Sequence, residues 1–276
     1  QGHDTTWAMI VSDRLGVPLE RITVVHGDTD LIPTSGVTGG SRSVQIAGSS
    51  IRDAAAGVVE AARPRAAELL EAAVDDVVFT PDGGGRFHVV GTPSRSVGWA
   101  EVAAAGDEPL LAESTFEQEG PTFPFGAHVA VVEVDTETGG VRLRRLVAVD
   151  DAGVLINPLL AEGQVHGGLA QGAAQALLEE MVFDEDANPV TTNFADYPVI
   201  SATELPFFER IEMVTPTPRN ELGAKGIGES GTIGATPAVH NAVCDALAPL
   251  GVRHVDMPCT PQRVWEAIEA ARPSSG

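Results

Sequence analysis

The stretch that constrains this chain most is Lys225-Gly226-Ile227-Gly228-Glu229-Ser230-Gly231-Thr232-Ile233-Gly234, which places four glycines around one acid. Glycine admits positive φ and lets a backbone approach its neighbour closely. Glu229 is therefore expected on a tight turn with little side-chain bulk beside it. Pro237-Ala238-Val239 reads as the start of an apolar helix running to Leu247, because proline suits a first turn. A carboxylate at a helix entrance, among unpaired N–H groups, suits acid–base chemistry or an anion site. The same pattern also suits a plain connecting turn with a solvated acid.

Composition narrows the classes. The 276 residues are 43% hydrophobic, enough to bury a real core in one large domain or two lobes. With 39 acids against 17 bases the net charge is −22, which argues against nucleic acid or an anionic membrane as partner. No apolar run approaches the ~20 residues that span a bilayer. Cys244 and Cys259 form no CxxC pair and no metal-ligand spacing, so a reducing cytoplasm is the expected compartment. Cys244 reads as a small buried hydrophobe. The chain starts at Gln1-Gly2-His3 with no initiator Met, which leads us to expect a fragment or processed piece.

Taken in order, residues 3–15 predict a helix and residues 22–25 a short β-branched strand. His26, Asp28 and Asp30 read as turn chemistry, with a metal cluster as the lesser alternative. Gly39-Gly40-Ser41-Arg42-Ser43 leads into a long helix with Val44, Ala47, Ile51, Ala54, Ala55, Val58 and Ala62 on one face. Glycines, two hydroxyls and a fixed cation beside a helix start make a phosphate cradle. Ser43 serving as a plain N-cap is the alternative. Residues 77–79 and 87–90 read as a hairpin, 96–105 as a short helix capped by Ser96, and 108–124 as a joining loop.

Residues 126–134 and 141–149 form a second predicted hairpin, with His128 as a partly buried structural histidine. A Gly- and Ala-rich helix follows through residues 169–177, where each interior glycine costs roughly 1 kcal/mol relative to alanine. Either a packed neighbour or a flat ligand must lie against it. Residues 211–214 suggest a strand, and a small helix at 261–271 precedes a polar tail. The whole reads as α+β, with a first lobe at 1–115 and a second at 116–276.

Four of these stretches together resemble the xanthine oxidase family of molybdenum hydroxylases, and within it the large subunits of aerobic carbon monoxide dehydrogenases in particular. The Lys225-Gly226-Ile227-Gly228-Glu229 run and the segment on to Trp265 resemble that family's Lys-Gly-x-Gly-Glu-x-Gly region. Gln1-Gly2-His3-x-Thr5-Thr6, Gly40-Ser41-Arg42-Ser43 and Asp151-x-Gly153-x-x-Ile156-Asn157-Pro158 with Gly163-Gln164 fall in the family's order. The resemblance implies two lobes of mixed β-sheet backed by helices, with a molybdenum–molybdopterin cytosine dinucleotide between them. By that likeness Gln1, Gly2 and His3 touch the pterin–dithiolene part. Gly40, Ser41, Arg42 and Ser43 hold phosphates, and Asn157 and Gln164 offer amide donors and acceptors to the cofactor. Lys225, Gly226 and Gly228 line the site and Glu229 is the base.

The implied reaction oxidises carbon monoxide, an aldehyde or an N-heterocycle, with oxygen from water and two electrons passed out. The glycine walls are expected to enclose Glu229 and raise its pKa. The metal is held by cofactor sulfurs, so no protein ligands to it are expected. Implied partners are the missing N-terminal half of the large subunit, a medium subunit with FAD and a small subunit with 2Fe-2S clusters. A cofactor-binding or subunit-interaction module without activity of its own stays open.

Overall fold

The computed structural model describes residues 1–32 and 36–272, so the polar tail beyond 272 lies outside the described residues. The chain divides into two compact units. Unit 1 comprises residues 1–122 and 217–224, and unit 2 comprises 123–216 and 225 onward.

Unit 1 opens with α1 (His3–Leu15), ended by Gly16 in the left-handed conformation with its N–H on Ser12 O. That glycine is obligatory on two counts, since a Cβ there would also lie 2.0 Å from Pro81 O. Ile22 is extended, but residues 22–26 pair with no strand among the described residues, so the strand expected at 22–25 does not form. β-Branched side chains favour extension, but a strand needs a neighbour. One π-helical turn, Val44–Gly48, precedes α2 (Ser49–Leu70). The wider turn shifts the buried face to Gln45, Gly48, Ser49, Ala55, Val59 and Ala62, one position off the regular period at its start.

β1 (Val77–Thr80), β2 (Arg86–Val89) and β3 (Thr92–Gly98) form an antiparallel sheet, followed by α3 (Trp99–Ala104). The expected hairpin is present. The helix expected from Ser96 starts instead at Trp99, because Ser96 pairs with His88 in the ladder. Glu101 Oε2 then accepts the Gly98 N–H at 2.8 Å. The first sheet is wholly antiparallel rather than mixed. Phe79, Phe87 and Trp99 meet with centroids 4.8–5.3 Å apart and pack on Val59, Ala62, Ala66 and Leu70 of α2.

Unit 2 is built on β4 (Phe125–Val134) and β5 (Val141–Asp151), antiparallel as expected, with β6 (Glu209–Met213) added parallel to β5. Even-numbered residues of β4 face inward, where Ala130 and Val132 pack with Leu146 and Ala148. α4 (Pro158–Leu177) and α5 (Ser230–Leu247) cover that face, and α6 (Pro261–Ala271) closes a second cluster with Val243, Leu247 and Val264. Asn157 Oδ1 caps α4 by accepting the Leu160 N–H at 3.1 Å.

The two helices approach by means of missing side chains. A Cβ on Gly168 would lie 3.0 Å from Gly231 Cα, and one on Gly172 would lie 2.7 Å from Ala235 Cβ. The Gly- and Ala-rich face of α4 thus serves a packed neighbour. It also explains why α5 starts at Ser230, not at the expected Pro237, which lies inside the helix. Burial of the glycine turn against α4 outweighs its poor helix propensity.

Candidate functional site

Unit 1 holds a cavity of about 870 Å³ lined by His3, Trp7, His26, Arg42, Ser43 and Ser114 among others. This volume is within the ~300–1,000 Å³ usual for ligand sites. Two of the predicted stretches converge on it. His3, in the first turn of α1, stacks on Trp7 with centroids 5.2 Å apart and rings inclined by 22°. Burial lowers the His3 pKa, which favours the neutral ring. Ser43 has entered helical geometry, and its hydroxyl makes no capping bond. The plain N-cap reading of Ser43 is therefore not what is observed.

Arg42 is exposed, with no carboxylate partner among the described residues. Gly40 (φ 69°) and Ser41 (φ 50°) are both left-handed, turning the chain sharply into the helix start. Ser41 bears that conformation without glycine's freedom, a strained choice for a residue with a Cβ. Gln45 Nε2 braces the turn by donating to Ser41 O at 3.0 Å. Gly2 is left-handed at the start of α1 and Gln1 is exposed. Gln1, Gly2, Gly40 and Ser41 adjoin the cavity in sequence without lining it. Asp28 Oδ1 accepts the Asp30 N–H at 2.9 Å, which is turn chemistry as expected, whereas His26 reaches outside the turn to Asp4 at 2.6 Å. An uncommitted guanidinium, a free hydroxyl and a helix start suit a phosphate-bearing cofactor.

Unit 2 carries the other predicted residues. Glu229 immediately precedes α5 and is exposed, as is Gly228, whereas Gly226 is buried. The enclosure expected of its glycine neighbours is absent among the described residues, because those glycines serve packing. None of Gly226, Gly228, Gly231 and Gly234 has positive φ. Gly231 lies against the backbone of Val165 and Leu169, and Gly234 against the His128 ring. The crossing of α4 and α5 thus lies between Gln164, which precedes Val165, and Glu229. Gln164 is half-buried, with no side-chain partner among the described residues.

Lys225 is committed to an interaction the sequence did not announce. Its Nζ lies 3.1 Å from Asp151 Oδ1, with the two side chains 10% and 0% exposed, and its N–H donates to Ala152 O at 2.8 Å. Burial alone would raise the Asp151 carboxyl. Hydrogen bonds from Thr215 and the Gly153 N–H, with the Lys225 ammonium, outweigh it and bring the pKa to about 2. Beside it, His128 Nε2 meets Asp150 Oδ1 at 3.2 Å, both side chains 2% exposed. The Lys225–Asp151 pair ties the segment before Glu229 to the end of β5, and the His128–Asp150 pair joins β4 to β5 beside it. The sequence marks Asp151 as the first residue of the Asp151-x-Gly153 motif but not as the partner of Lys225. Two adjacent acids ending a β-run before an Ala-Gly turn were the available signal.

A profile of the molybdopterin cofactor-binding domain matches residues 1–206. The chain belongs to the molybdopterin cofactor-binding domain family. It is 41% identical over 98% of its length to the carbon monoxide dehydrogenase large chain of Hydrogenophaga pseudoflava, covering 34% of that protein. Carbon monoxide dehydrogenase of Oligotropha carboxidovorans superposes on 98% of this chain with a TM-score of 0.89 and 38% identity, covering 34% of that chain. Quinoline 2-oxidoreductase of Pseudomonas putida 86 gives 0.86 and 38% over 99%, covering 35% of its own chain. This molybdopterin-binding chain therefore spans about a third of the length of these relatives. Among its described residues no helix is long and apolar enough to cross a membrane.

Proposed function

We propose that this chain is the molybdenum-cofactor-binding part of a molybdenum hydroxylase large subunit that oxidises carbon monoxide, an aldehyde or an N-heterocycle. The observation that carries the reading is the unit 1 cavity, where His3, Arg42 and Ser43 meet with the cation and hydroxyl uncommitted. Arg42 and Ser43 bind the phosphates of a molybdopterin cytosine dinucleotide, Gly40 and Ser41 shape the approach, and Gln1, Gly2 and His3 contact its pterin. In unit 2, Asn157 and Gln164 supply amide contacts, while Gly226 and Gly228 border the site. Lys225 holds the turn through Asp151.

When bound, the cofactor supplies the redox centre at which water becomes the oxygen source and two electrons leave. Glu229 takes the proton that water gives up, and its place at a fixed helix end orients the carboxylate. FAD and 2Fe-2S clusters on partner subunits would accept those electrons, and the assembly would be cytoplasmic. The rest of the large subunit encloses Glu229. Two features support that assembly: the exposed carboxylate, and the apolar outer face of the second sheet, where Val129, Val131 and Ile211 are exposed. Those features equally favour the second reading, a module with no activity by itself. Arg42→Ala in the assembled enzyme should lower pterin and molybdenum content together, while Ser114→Ala, elsewhere on the cavity wall, should not. Full cofactor content in Arg42→Ala would remove the phosphate cradle.

A further inference from the structure

Helix α5 and the segment behind it carry three metal-ligating side chains that the proposed reaction leaves unused. His240 and Cys244 stand at i and i+4 on α5, which stacks them on one face. His254 comes from the segment that returns after the 3-10 turn Ala248–Leu250. One ligand atom from each of the three lies within 4.8 Å of the other two. The His240 ring stands beside the thiol, with its Nε2 3.8 Å from Cys244 Sγ, and the two imidazoles stand edge to face at 5.4 Å. A tetrahedral zinc, with Zn–N of ~2.0–2.1 Å and Zn–S of ~2.3 Å, sets its ligand atoms roughly 3.3–3.7 Å apart. The three ligand atoms, within 4.8 Å of one another, draw together to reach that arrangement.

The surroundings fit as well. His240 Nε2 lies 2.8 Å from Val255 O, and His254 Nε2 lies 3.1 Å from Asp256 Oδ1. With Nε2–H of each ring donating to that oxygen, the tautomer is fixed and the Nδ1 lone pair is left for the ion, the usual partnership of metal-bound histidines. The second cysteine does not compete. Cys259 is 1% exposed, and burial pushes its thiol up to about 11, so it stays a neutral hydrophobe. Cys244 is half-buried and His254 mostly exposed, so an ion can enter from solvent.

We propose that His240, Cys244 and His254 bind a zinc-type divalent cation, with the fourth position taken by water. The ion ties the 252–256 segment to α5, and binding releases the Cys244 thiol proton to solvent. No electron transfer is involved. Sequence spacing hid the site, because the third ligand follows a turn and the pattern lacks a CxxC pair.

The test uses the 276-residue chain stripped of metal and titrated with Co²⁺ as a spectroscopic stand-in for zinc. A thiolate-to-cobalt absorption band should grow to one equivalent and vanish on adding Zn²⁺. Cys244→Ala should abolish the band. His254→Ala, at an exposed position that the fold does not need, should weaken binding by at least the ~10–100-fold expected for Asp256→Asn, which removes only the outer partner. No thiolate band at saturating cobalt would overturn the site. So would a band undiminished in Cys244→Ala, or equal affinity in the parent and His254→Ala.

Discussion

The glycines beside the unit 1 cavity and those between α4 and α5 of unit 2 serve opposite ends. In unit 1, Gly2 and Gly40 are left-handed, bending the backbone into the two helix starts beside the cavity, and a Cβ on Gly40 would meet nothing within 4 Å. In unit 2, Gly168, Gly172, Gly231 and Gly234 keep ordinary helical geometry, and a Cβ on any of them would strike a neighbour at 3.0 Å or less. The first use is conformational and shapes a surface. The second is steric and fixes where one helix end lies. A glycine-rich motif beside a functional acid is therefore no proof of a ligand against the glycines. In the function proposed above the ligand-facing work falls to Arg42 and Ser43, while the glycines around Glu229 pack against α4 and β4.

If that contrast is right, Glu229 contributes to chemistry and not to stability. Glu229→Gln in the assembled enzyme should cut turnover by ~10²–10⁴-fold, the usual worth of a general base. Cofactor content and unfolding midpoint should stay at parent values. Glu221→Gln is the control, since Glu221 lies in unit 1 and pairs there with Arg52 at the surface. Equal losses in both variants would make Glu229 structural, and parental turnover in Glu229→Gln would take it out of the mechanism.

The Lys225–Asp151 pair itself titrates. The folded pKa of Asp151 lies at about 2 against an ordinary 3.8, so the unfolded chain binds the proton more readily. Its contribution, on the order of 2 kcal/mol, is therefore complete above the ordinary value and fades as pH falls from about 4 toward 2. Denaturant unfolding of the parent should lose stability across that window. Asp151→Asn should flatten that part of the curve. An unchanged slope in the variant would show that other carboxylates carry the acid transition.

How much of this was legible beforehand differs by region. The hairpins were, because alternating β-branched runs around Asp82-Gly83-Gly84-Gly85 and Gly139-Gly140 carry their own turn chemistry. Helix α1 was legible for its periodicity and its Gly16 stop. The start of α5 was not, because helix propensity penalises Gly231 and Gly234 and only the partner helix offsets it. Nor was the Lys225–Asp151 pair, whose members are 74 positions apart in sequence. Arg42 and Ser43 were readable as a cradle, but only the folded chain shows the hydroxyl uncommitted. His240 and Cys244 were readable as an i, i+4 pair, yet His254 joins them only through the fold.

Packing gives a smaller effect of predictable sign. Gly172→Ala would place its Cβ 2.7 Å from Ala235 Cβ and 2.9 Å from Thr236 N, both on α5. Overpacking typically costs ~1–3 kcal/mol, and the better helix propensity of alanine returns up to ~1. A net loss of ~1–2 kcal/mol should appear as a lower denaturant midpoint with an unchanged slope. A neutral result would mean that α4 and α5 slide apart without penalty, and the steric reading of these glycines would fail.

The smallest effect runs the other way and separates the two causes within one helix. Gly163 also lies on α4, on its exposed side, with helical geometry and nothing within 4 Å of where a Cβ would stand. Alanine there meets no neighbour, keeps the favoured rotation, and removes backbone freedom from the unfolded chain. Gly163→Ala should therefore raise stability by ~0.5–1 kcal/mol. The same substitution nine residues apart on one helix then has opposite signs, with helix propensity common to both and only the neighbour different. Destabilisation by Gly163→Ala would indicate that this side of α4 is covered after all. In the assembled enzyme the same variant reads out the site: the proposed cofactor contact at Gln164 adjoins it, so a stability gain in the chain accompanied by lost cofactor would place the cofactor against the exposed side of α4.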